Sequence, residues 1–431
     1  MDVLIKNVQI VDPDGAYDGK RRDILIREGR IASIGQAVRA EGVLRLEGEQ
    51  WYVSAGWMDM GVQTGDPGYE HRENLESASE AAAAGGFTAI ACQPNTAPAL
   101  HSKSEVLYIL HNTRNLPVSF YPIGALSMDC AGKEITEMID MHMSGALAFS
   151  DGKKPLQHGG LMLRALQYVK GFGGLVINQP LDREIGGHGQ MHEGEVSTSL
   201  GLPGIPAIAE ELMVRRDLHL LEYAGSRLHL ANLSTAGAVQ MVREAKANGL
   251  QVTASVAVMN LIFDDSAAST FDSNFKVMPP LRGKEDREAL REGVLDGTID
   301  AISSNHVPLE EELKKKEFSY AEFGVTGLEV LYAVCKTHLG DWLSDELFVR
   351  KVALNPRKIL GLPIPRIEEG QPAELTLFSP VQQWAYTRNE ARSRSLNSPF
   401  LGKELEGRVV AIINKGQLKV VGQNAGGNPT L

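Results

Sequence analysis

Several short apolar runs in this sequence are followed directly by a residue whose side chain could bind a substrate or a metal. These positions are the loop from Gly61 to Gln63, in which Gln63 is the polar residue, and then Asn95, Asp151, Asn178, Asn232, Asn260 and Asn305. Apart from Asp151, the polar side chains in this set are amides. A neutral amide oxygen is a poor zinc donor, and it cannot act as a general base. The pattern therefore predicts a site that forms hydrogen bonds and has one carboxylate available for chemistry.

The histidines and cysteines do not form a metal site elsewhere in the sequence. The eleven histidines contain no His-x-His pair, and His188 and His192 stand in a glycine-rich segment that does not favour a helix. The three cysteines are far apart, which is typical of a reducing compartment and not of a disulfide framework or a zinc-thiolate site. We therefore expect no metal cofactor.

The apolar runs alternate with amphipathic stretches, and this alternation predicts how the polar residues are brought together. The runs extend from YVSAGWMDM at 52–60 to DAISSNH at 300–306. Helical patterns separate them, one beginning after Thr235 as a possible N-cap and ending before Gly249. Eight strands alternating with helices indicate an α/β fold, a (β/α)8 barrel of the TIM type. Such barrels place their functional groups at the carboxyl ends of the strands.

The two ends of the chain have a different pattern. Residues 1–52 alternate between apolar and polar side chains, with a turn signal at Pro13-Asp14-Gly15. Residues 365–431 repeat this style, and Lys415-Gly416 predicts a tight hairpin turn. We expect both ends to build one small β-sandwich domain, with the barrel domain spanning residues 53–364.

Composition and charge exclude several classes of protein. The chain of 431 residues has a net charge of −11 and only short basic runs, and one of them, Lys314 to Lys316, is interpreted as a solvated helix face. Nucleic-acid binding is therefore not expected. No apolar run approaches the length of a membrane span, and the N-terminus lacks the pattern of a signal peptide. We expect a cytoplasmic protein without membrane contacts.

Longer motifs carry a resemblance to a known family. They include GGFTAIACQPNTAP at 85–98, GALAFSDGKKP at 145–155, GGHGQMHEGE at 186–195, LHLANLSTAGAV at 228–239 and SSNHVP at 303–308. With these motifs the sequence resembles the dihydroorotases of the amidohydrolase superfamily along almost the whole chain. The resemblance implies a zinc centre, often binuclear, whose ligands are mainly histidines. It also implies an Asp after strand eight that takes a proton from the attacking water.

At most of the ligand positions the sequence departs from the family. The His-x-His pair falls on Gly61 and Gln63, the histidines after strands five and six fall on Asn178 and Asn232, and the strand-eight Asp falls on Asn305. Asp151 is kept in the position of the bridging Asp. Zinc sites rarely have fewer than three protein ligands. The departures therefore predict the loss of the metal centre.

The substrate positions implied by the resemblance are altered as well. Gly65 stands in the position of an Arg that binds the substrate carboxylate, Asn260 in that of one of two paired histidines, and Leu309 in that of the final histidine. Asn95, a substrate contact in the family, is retained. Because a bidentate Arg is hard to replace in carboxylate binding, we expect weakened binding of the family's substrate.

Three functions remain open at this point. The leading hypothesis is a catalytically inactive dihydroorotase-like protein that acts as a structural or assembly partner. By resemblance the partner would be aspartate transcarbamoylase, and the chain itself would be a homodimer. The alternative is an active dihydroorotase, or another cyclic-amide hydrolase acting on dihydroorotate or N-carbamoyl-L-aspartate, with a metal-poor site around Asp151, Asn95 and His306. A third hypothesis is a sensor that binds a pyrimidine-like ring through amides.

Overall fold

The computed structural model describes residues 1–421. Strands make up a barrel and a second sheet. In chain order they are β1 (Val3–Val11), β2 (Arg21–Arg27), β3 (Arg30–Gly35), β4 (Leu44–Leu46), β5 (Tyr52–Ala55), β6 (Trp57–Val62), β7 (Phe87–Cys92), β8 (Ser119–Gly124), β9 (Ala148–Phe149), β10 (Val176–Asn178), β11 (Met191–His192), β12 (Gly204–Ile205), β13 (Leu228–Leu230), β14 (Val252–Ala257), β15 (Ala301–Ser303), β16 (Leu375–Ala385), β17 (Glu404–Asn414) and β18 (Gln417–Val420).

The barrel confirms the fold class predicted from the sequence. Its eight parallel strands follow the order β6-β7-β8-β9-β10-β13-β14-β15. The first and last strands meet where the backbone N–H of Gln63 donates to the carbonyl of His306 at 3.0 Å. This closure brings the carboxyl ends of β6 and β15 side by side, and with them Gln63 and Asn305.

The predicted first strand is divided between the two sheets at Gly56. On its N-terminal side, β5 pairs with β1 and β16, whereas β6 on the other side pairs with β7. A Cβ atom at Gly56 would lie 2.2 Å from the Thr88 hydroxyl oxygen, so only glycine fits here. Periodicity could not show this division, because both halves of the run are apolar and buried.

Strands from both ends of the chain form the second sheet, as predicted. Its order is β18-β17-β16-β5-β1-β2-β3, with β4 paired to β1, and it curls around its own apolar core. The predicted turn at Lys415-Gly416 is confirmed, because it connects β17 to β18 with both residues at positive φ. The predicted domain boundaries near 52 and 365 stay predictions, and residues 422–431 lie outside the described residues.

Helices follow most of the barrel strands. They are α1 (Leu75–Ala84), α2 (Lys103–Thr113), α3 (Met138–Met143), α4 (Gly159–Lys170), α5 (Arg183–Gly186), α6 (Glu195–Leu200), α7 (Ile208–Ala224), α8 (Ala236–Ala247), α9 (Val258–Ile262), α10 (Lys284–Asp296), α11 (Glu311–Lys314), α12 (Leu331–Leu339), α13 (Asp345–Val349) and α14 (Asn355–Leu360). The predicted N-cap is confirmed, because the Thr235 side chain accepts from the Ala238 backbone N–H. Within residues 1–421, no helix has the length and apolar character that crossing a membrane requires.

The interpretation of Lys314 as part of a solvated face is wrong. This side chain is buried, and its ammonium group donates to the carbonyls of Ser273 at 2.5 Å and Glu322 at 2.9 Å. Burial lowers the pKa of Lys314 to about 8. Lys315 and Lys316 are exposed, as predicted. A local charge pattern could not distinguish them, because the burial of Lys314 depends on tertiary contacts such as the one with the Ser273 carbonyl.

Candidate binding site at the carboxyl end of the barrel

Asn305, directly after β15, is the centre of the polar site. Its side-chain oxygen accepts from the Lys153 ammonium group and, at 3.3 Å, from the Asn232 amide. Its own amide nitrogen donates to the Met278 carbonyl at 3.0 Å. An amide with this set of partners cannot take a proton from water, because it has no titratable oxygen.

Sequence reasoning missed Lys153, which supplies a positive charge at this site. Among residues 1–421, no carboxylate oxygen lies within 4.0 Å of its Nζ atom. Burial lowers the pKa of Lys153 to about 8, and the nearby carboxylate of Asp59 partly opposes this shift. The available signal was the motif GKKP directly after Asp151, which places a lysine just past the end of β9.

Asp151 is engaged by hydrogen bonds from Ser127. One carboxylate oxygen accepts from the Ser127 backbone N–H at 2.8 Å and the other from the Ser127 hydroxyl at 2.5 Å. Burial raises its pKa, and the bonds from Ser127 oppose that shift. Both oxygens are therefore engaged, which weakens the case for Asp151 as the base of a metal-poor hydrolase.

Asn95 shapes the loop that positions Lys153. Its amide nitrogen donates to the Asp151 carbonyl at 2.9 Å, and its oxygen accepts from the Lys153 backbone N–H at 2.8 Å. These two bonds fix the turn from Asp151 to Lys153. In this structure Asn95 acts through the loop. The main pocket opens at the carboxyl end of the barrel, and Asn95 is not among the described residues that line it.

Gly61 and Gln63 lie beside different spaces. Gly61 borders a void of about 20 Å³ inside the barrel, and Asn232 and Gln93 also line this void. A Cβ atom at Gly61 would be 3.6 Å from Ser303, an ordinary contact, so a Cβ atom fits at this position. The void has the size of one water molecule. Gln63 instead lines the larger pocket at the carboxyl end of the barrel.

Two other amides at ligand positions face structural partners. The amide nitrogen of Asn178 donates to the buried Asp217 carboxylate at 2.6 Å. Asn232 accepts from the Ser303 hydroxyl at 2.8 Å, in addition to its bond to Asn305. Their polar groups thus connect neighbouring elements of the barrel.

The histidines beside these positions are held by the protein. Both ring nitrogens of His229 have hydroxyl partners, Thr253 at 2.9 Å and Ser255 at 3.0 Å. Burial lowers the pKa of His229 to about 3, so its ring is neutral. His306 is fully buried, with Nε2 at 3.4 Å from a Glu73 carboxylate oxygen. Each ring therefore has a place in the hydrogen-bond network of the barrel.

The substrate positions implied by the resemblance are scattered. Gly65 has a φ of 70°, and a Cβ atom there would lie 2.3 Å from the Glu73 carbonyl oxygen, so this backbone excludes an arginine. Asn260 is buried and donates to the Pro280 carbonyl at 2.8 Å. Leu309 lines the main pocket. Only one of the four predicted substrate residues is thus in its wall.

The main pocket has a volume of about 520 Å³, within the usual range for small-molecule sites. Its charged residues are Lys153 and Arg183, and its polar side chains include Gln63 and Asn305. Arg183, at the start of α5, was not predicted as a site residue. The remainder of the wall is apolar side chains and glycine backbone, such as Met278 and Phe323.

The donor set does not fit a zinc ion. Within residues 1–421, no group of three or more His, Cys, Asp and Glu side chains is placed to hold a metal. At Asn305 a cation would also meet the ammonium group of Lys153, which is repulsive. A catalytic zinc normally needs three protein donors.

A buried acidic network lies next to β15. Glu73 accepts from the Ser393 hydroxyl, and Glu329 accepts from the backbone N–H groups of Arg392 at 2.7 Å and Ser393 at 2.9 Å. Burial raises the pKa of Glu329 to about 7, the hydrogen bonds and His306 oppose the shift, and Glu73 adds to it. Glu329 is therefore expected to hold a proton in the folded protein near neutral pH.

This shift gives a pH prediction for stability. The pKa of Glu329 is 4.5 in the unfolded state and about 7 in the folded state. Between these two pH values the folded state keeps a proton that the unfolded state has lost, so the free energy of unfolding is expected to fall as pH rises. The contribution is about 3 kcal/mol, and it levels off above pH ~7. Urea denaturation across this range would show the slope. Glu329→Gln is expected to flatten it, and the exposed Glu312→Gln is the matched control. An equal slope in Glu329→Gln and wild type would contradict the prediction.

Comparison with known proteins shows which family this chain resembles in sequence. A family model described as dihydro-orotase-like matches residues 52–238. The chain is 41% identical over 423 residues to a dihydroorotase of Syntrophus aciditrophicus, covering 97% of this chain and 99% of that protein. A dihydroorotase of Pelotomaculum thermopropionicum is 42% identical over 420 residues, covering 97% and 98%.

Solved structures agree on the fold. The L-hydantoinase (dihydropyrimidinase) from Arthrobacter aurescens superposes with a TM-score of 0.84 at 23% identity, covering 98% of this chain and 97% of that one. At this identity the likeness shows the barrel and its accompanying sheet alone. The near-full-length sequence matches show that this chain belongs to the dihydroorotase family.

Proposed function

We propose that this protein keeps the dihydroorotase barrel and pocket but does not carry out zinc-dependent opening or closing of a cyclic amide. The observation that supports this most is the Lys153 ammonium group on Asn305, at the position where the resemblance implies an Asp. An ammonium group disfavours a metal cation, and an asparagine cannot accept the proton of an attacking water.

The corresponding biological role is structural. By resemblance, aspartate transcarbamoylase is the first partner to test, and a homodimer is the expected oligomeric state; both remain proposals, as does a cytoplasmic location. Sedimentation velocity of the purified protein, alone and mixed with aspartate transcarbamoylase from the same organism, measures both associations. A mixture that sediments as the two separate proteins would contradict the proposed partner.

The second candidate is an active cyclic-amide hydrolase, and the names of the relatives favour it over the first. Relatives that are 41% and 42% identical over nearly the whole chain carry the name dihydroorotase. In this chain the group best placed for proton transfer is Lys153, since Asp151 is engaged by Ser127. The pKa of about 8 leaves part of the Lys153 population neutral and basic near neutral pH.

A turnover assay separates the two candidates. Purified protein with excess zinc is assayed for cyclisation of N-carbamoyl-L-aspartate and for hydrolysis of dihydroorotate, with the Syntrophus aciditrophicus relative as positive control. The first candidate predicts a rate at least about 10³-fold below the control, because both metal activation and the general base are missing. Bound zinc is measured on the same sample by elemental analysis. Stoichiometric zinc with turnover near the control would overturn the first candidate. Turnover that Lys153→Met abolishes would establish the second.

A further inference from the structure

The main pocket has charge of one sign. Lys153 and Arg183 are its charged lining residues, and none of the lining residues is acidic. The chain as a whole carries a net charge of −11, so the positive charge of this pocket is opposite in sign to the net charge of the protein. A local excess of positive charge in a concave site attracts anions.

Both cations are available to a ligand. The Lys153 ammonium group donates to the neutral oxygen of Asn305, which leaves two of its three N–H donors unassigned. Within the described part of the chain, the Arg183 guanidinium takes part in no ion pair shorter than 4.0 Å. The adjacent Asp182 accepts instead from the backbone N–H groups of Glu184 at 2.9 Å and Ile185 at 3.1 Å. Within the described residues, neither cation therefore forms an ion pair shorter than 4.0 Å, although the carboxylate of Asp59 lies near Lys153.

The remainder of the pocket suits a compact molecule with an apolar or flat body. Leu181, Met278, Leu309 and Phe323 supply apolar contacts, while Gln63 supplies an amide that can pair with polar ring atoms. A volume of about 520 Å³ accommodates a molecule of metabolite size. Such a site binds the anionic group of a ligand through charge and the apolar part of the same ligand through van der Waals contacts.

We propose that this pocket binds a small anionic molecule, with its carboxylate or phosphate group held by Lys153 and Arg183. The site then uses a fixed cation of the protein where the family resemblance implies a bound metal, and this reverses its preference from cation to anion. Arg183 offers a planar pair of donors to the anion, and Lys153 offers a point charge. The proposal goes beyond the proposed function, since it concerns binding and holds with or without turnover.

Calorimetric titration with a matched pair of probes tests the proposal. Orotate and uracil share a ring and differ by one carboxylate, and inorganic phosphate tests the other anion class. Orotate or phosphate is expected to bind at least about 10-fold more tightly than uracil, and increasing salt is expected to weaken that binding. Failure of both anions to bind more tightly than uracil would overturn the proposal.

Variants assign the binding to the two cations. Lys153→Met and Arg183→Met are each expected to weaken binding of the anion at least about 10-fold. Lys153→Arg keeps the charge and is expected to retain most of the affinity, which separates loss of charge from loss of folding. Lys154→Met is the control, because Lys154 is exposed and its ammonium group donates to the Asp129 carbonyl at 3.2 Å, outside the pocket. Equal losses in the Lys153→Met and Lys154→Met proteins, or unchanged binding in both Lys153→Met and Arg183→Met, would contradict the assignment.

Discussion

Glu210→Ala is expected to lower the free energy of unfolding by about 3–5 kcal/mol. Glu210, on α7, is 1% exposed, and its carboxylate accepts from the backbone N–H groups of Ser234 at 2.8 Å and Thr235 at 3.1 Å. It also lies 3.9 Å from the guanidinium of Arg282, which is itself 2% exposed. Removing the carboxylate leaves a buried positive charge and two buried N–H donors without their acceptor. Urea denaturation measures the loss.

Three variants make this result specific to the buried pair. Glu211→Ala changes the adjacent, less buried carboxylate and is expected to cost less than about 1 kcal/mol. Arg282→Met in the Glu210→Ala background is expected to recover part of the loss, because the unpaired charge is removed as well. Glu210→Gln keeps one acceptor oxygen and is expected to fall between wild type and Glu210→Ala. Similar stabilities for Glu210→Ala and Glu211→Ala would contradict the assigned role.

Restoring donors at three strand-end positions is expected to increase zinc affinity by at least about 10³-fold, or ~4 kcal/mol, provided that Lys153 is also removed. The variant is Gly61→His, Gln63→His and Asn305→Asp together with Lys153→Ala. A Cβ atom at Gly61 would make only an ordinary contact, and the bond from the Gln63 N–H to the His306 carbonyl at 3.0 Å joins the ends of β6 and β15. Zinc binding by this variant requires the new side chains at positions 61, 63 and 305 to turn toward one point between these strand ends.

The matched control keeps Lys153. The same three substitutions without Lys153→Ala are expected to bind zinc at least about 10-fold more weakly, because the ammonium group that contacts position 305 competes with the metal for the new carboxylate. Competition with a chromogenic chelator gives the affinities, and circular dichroism verifies folding. Equal zinc binding with and without Lys153 would show that the ammonium group does not replace the metal.

The fold could be predicted from the sequence because its signals are local. Runs such as FTAIACQ and SFYPIGAL are short, apolar and separated by amphipathic stretches, and that spacing specifies strands and helices before any tertiary contact. Thr235 begins α8 for the same reason, since a cap needs only the N–H groups of the next turn. The division of the first run at Gly56 was missed, because it depends on contact with Thr88 from another strand.

The candidate site was predicted only in part. The residue types at Gly61, Gln63 and Asn305 are read directly from the sequence, and none of them is a good zinc donor. The direction in which a side chain points, in contrast, depends on the tertiary structure. Asn178 faces Asp217 of α7, and Asp151 faces Ser127, because segments distant in sequence place those partners beside them.

The sequence by itself determined the barrel, the sheet built from both ends and the residue types at Gly61, Gln63 and Asn305, since each depends on residue type and local spacing. The tertiary structure alone decided that Lys153 reaches Asn305, that Arg183 enters the same pocket and that the Gly65 backbone excludes an arginine. Burial and charge pairing depend on which segments meet in space, and loops more than a hundred residues apart meet only after the barrel has closed. The sequence thus gives the residue type at each strand end, and the structure gives the partners that each side chain meets there.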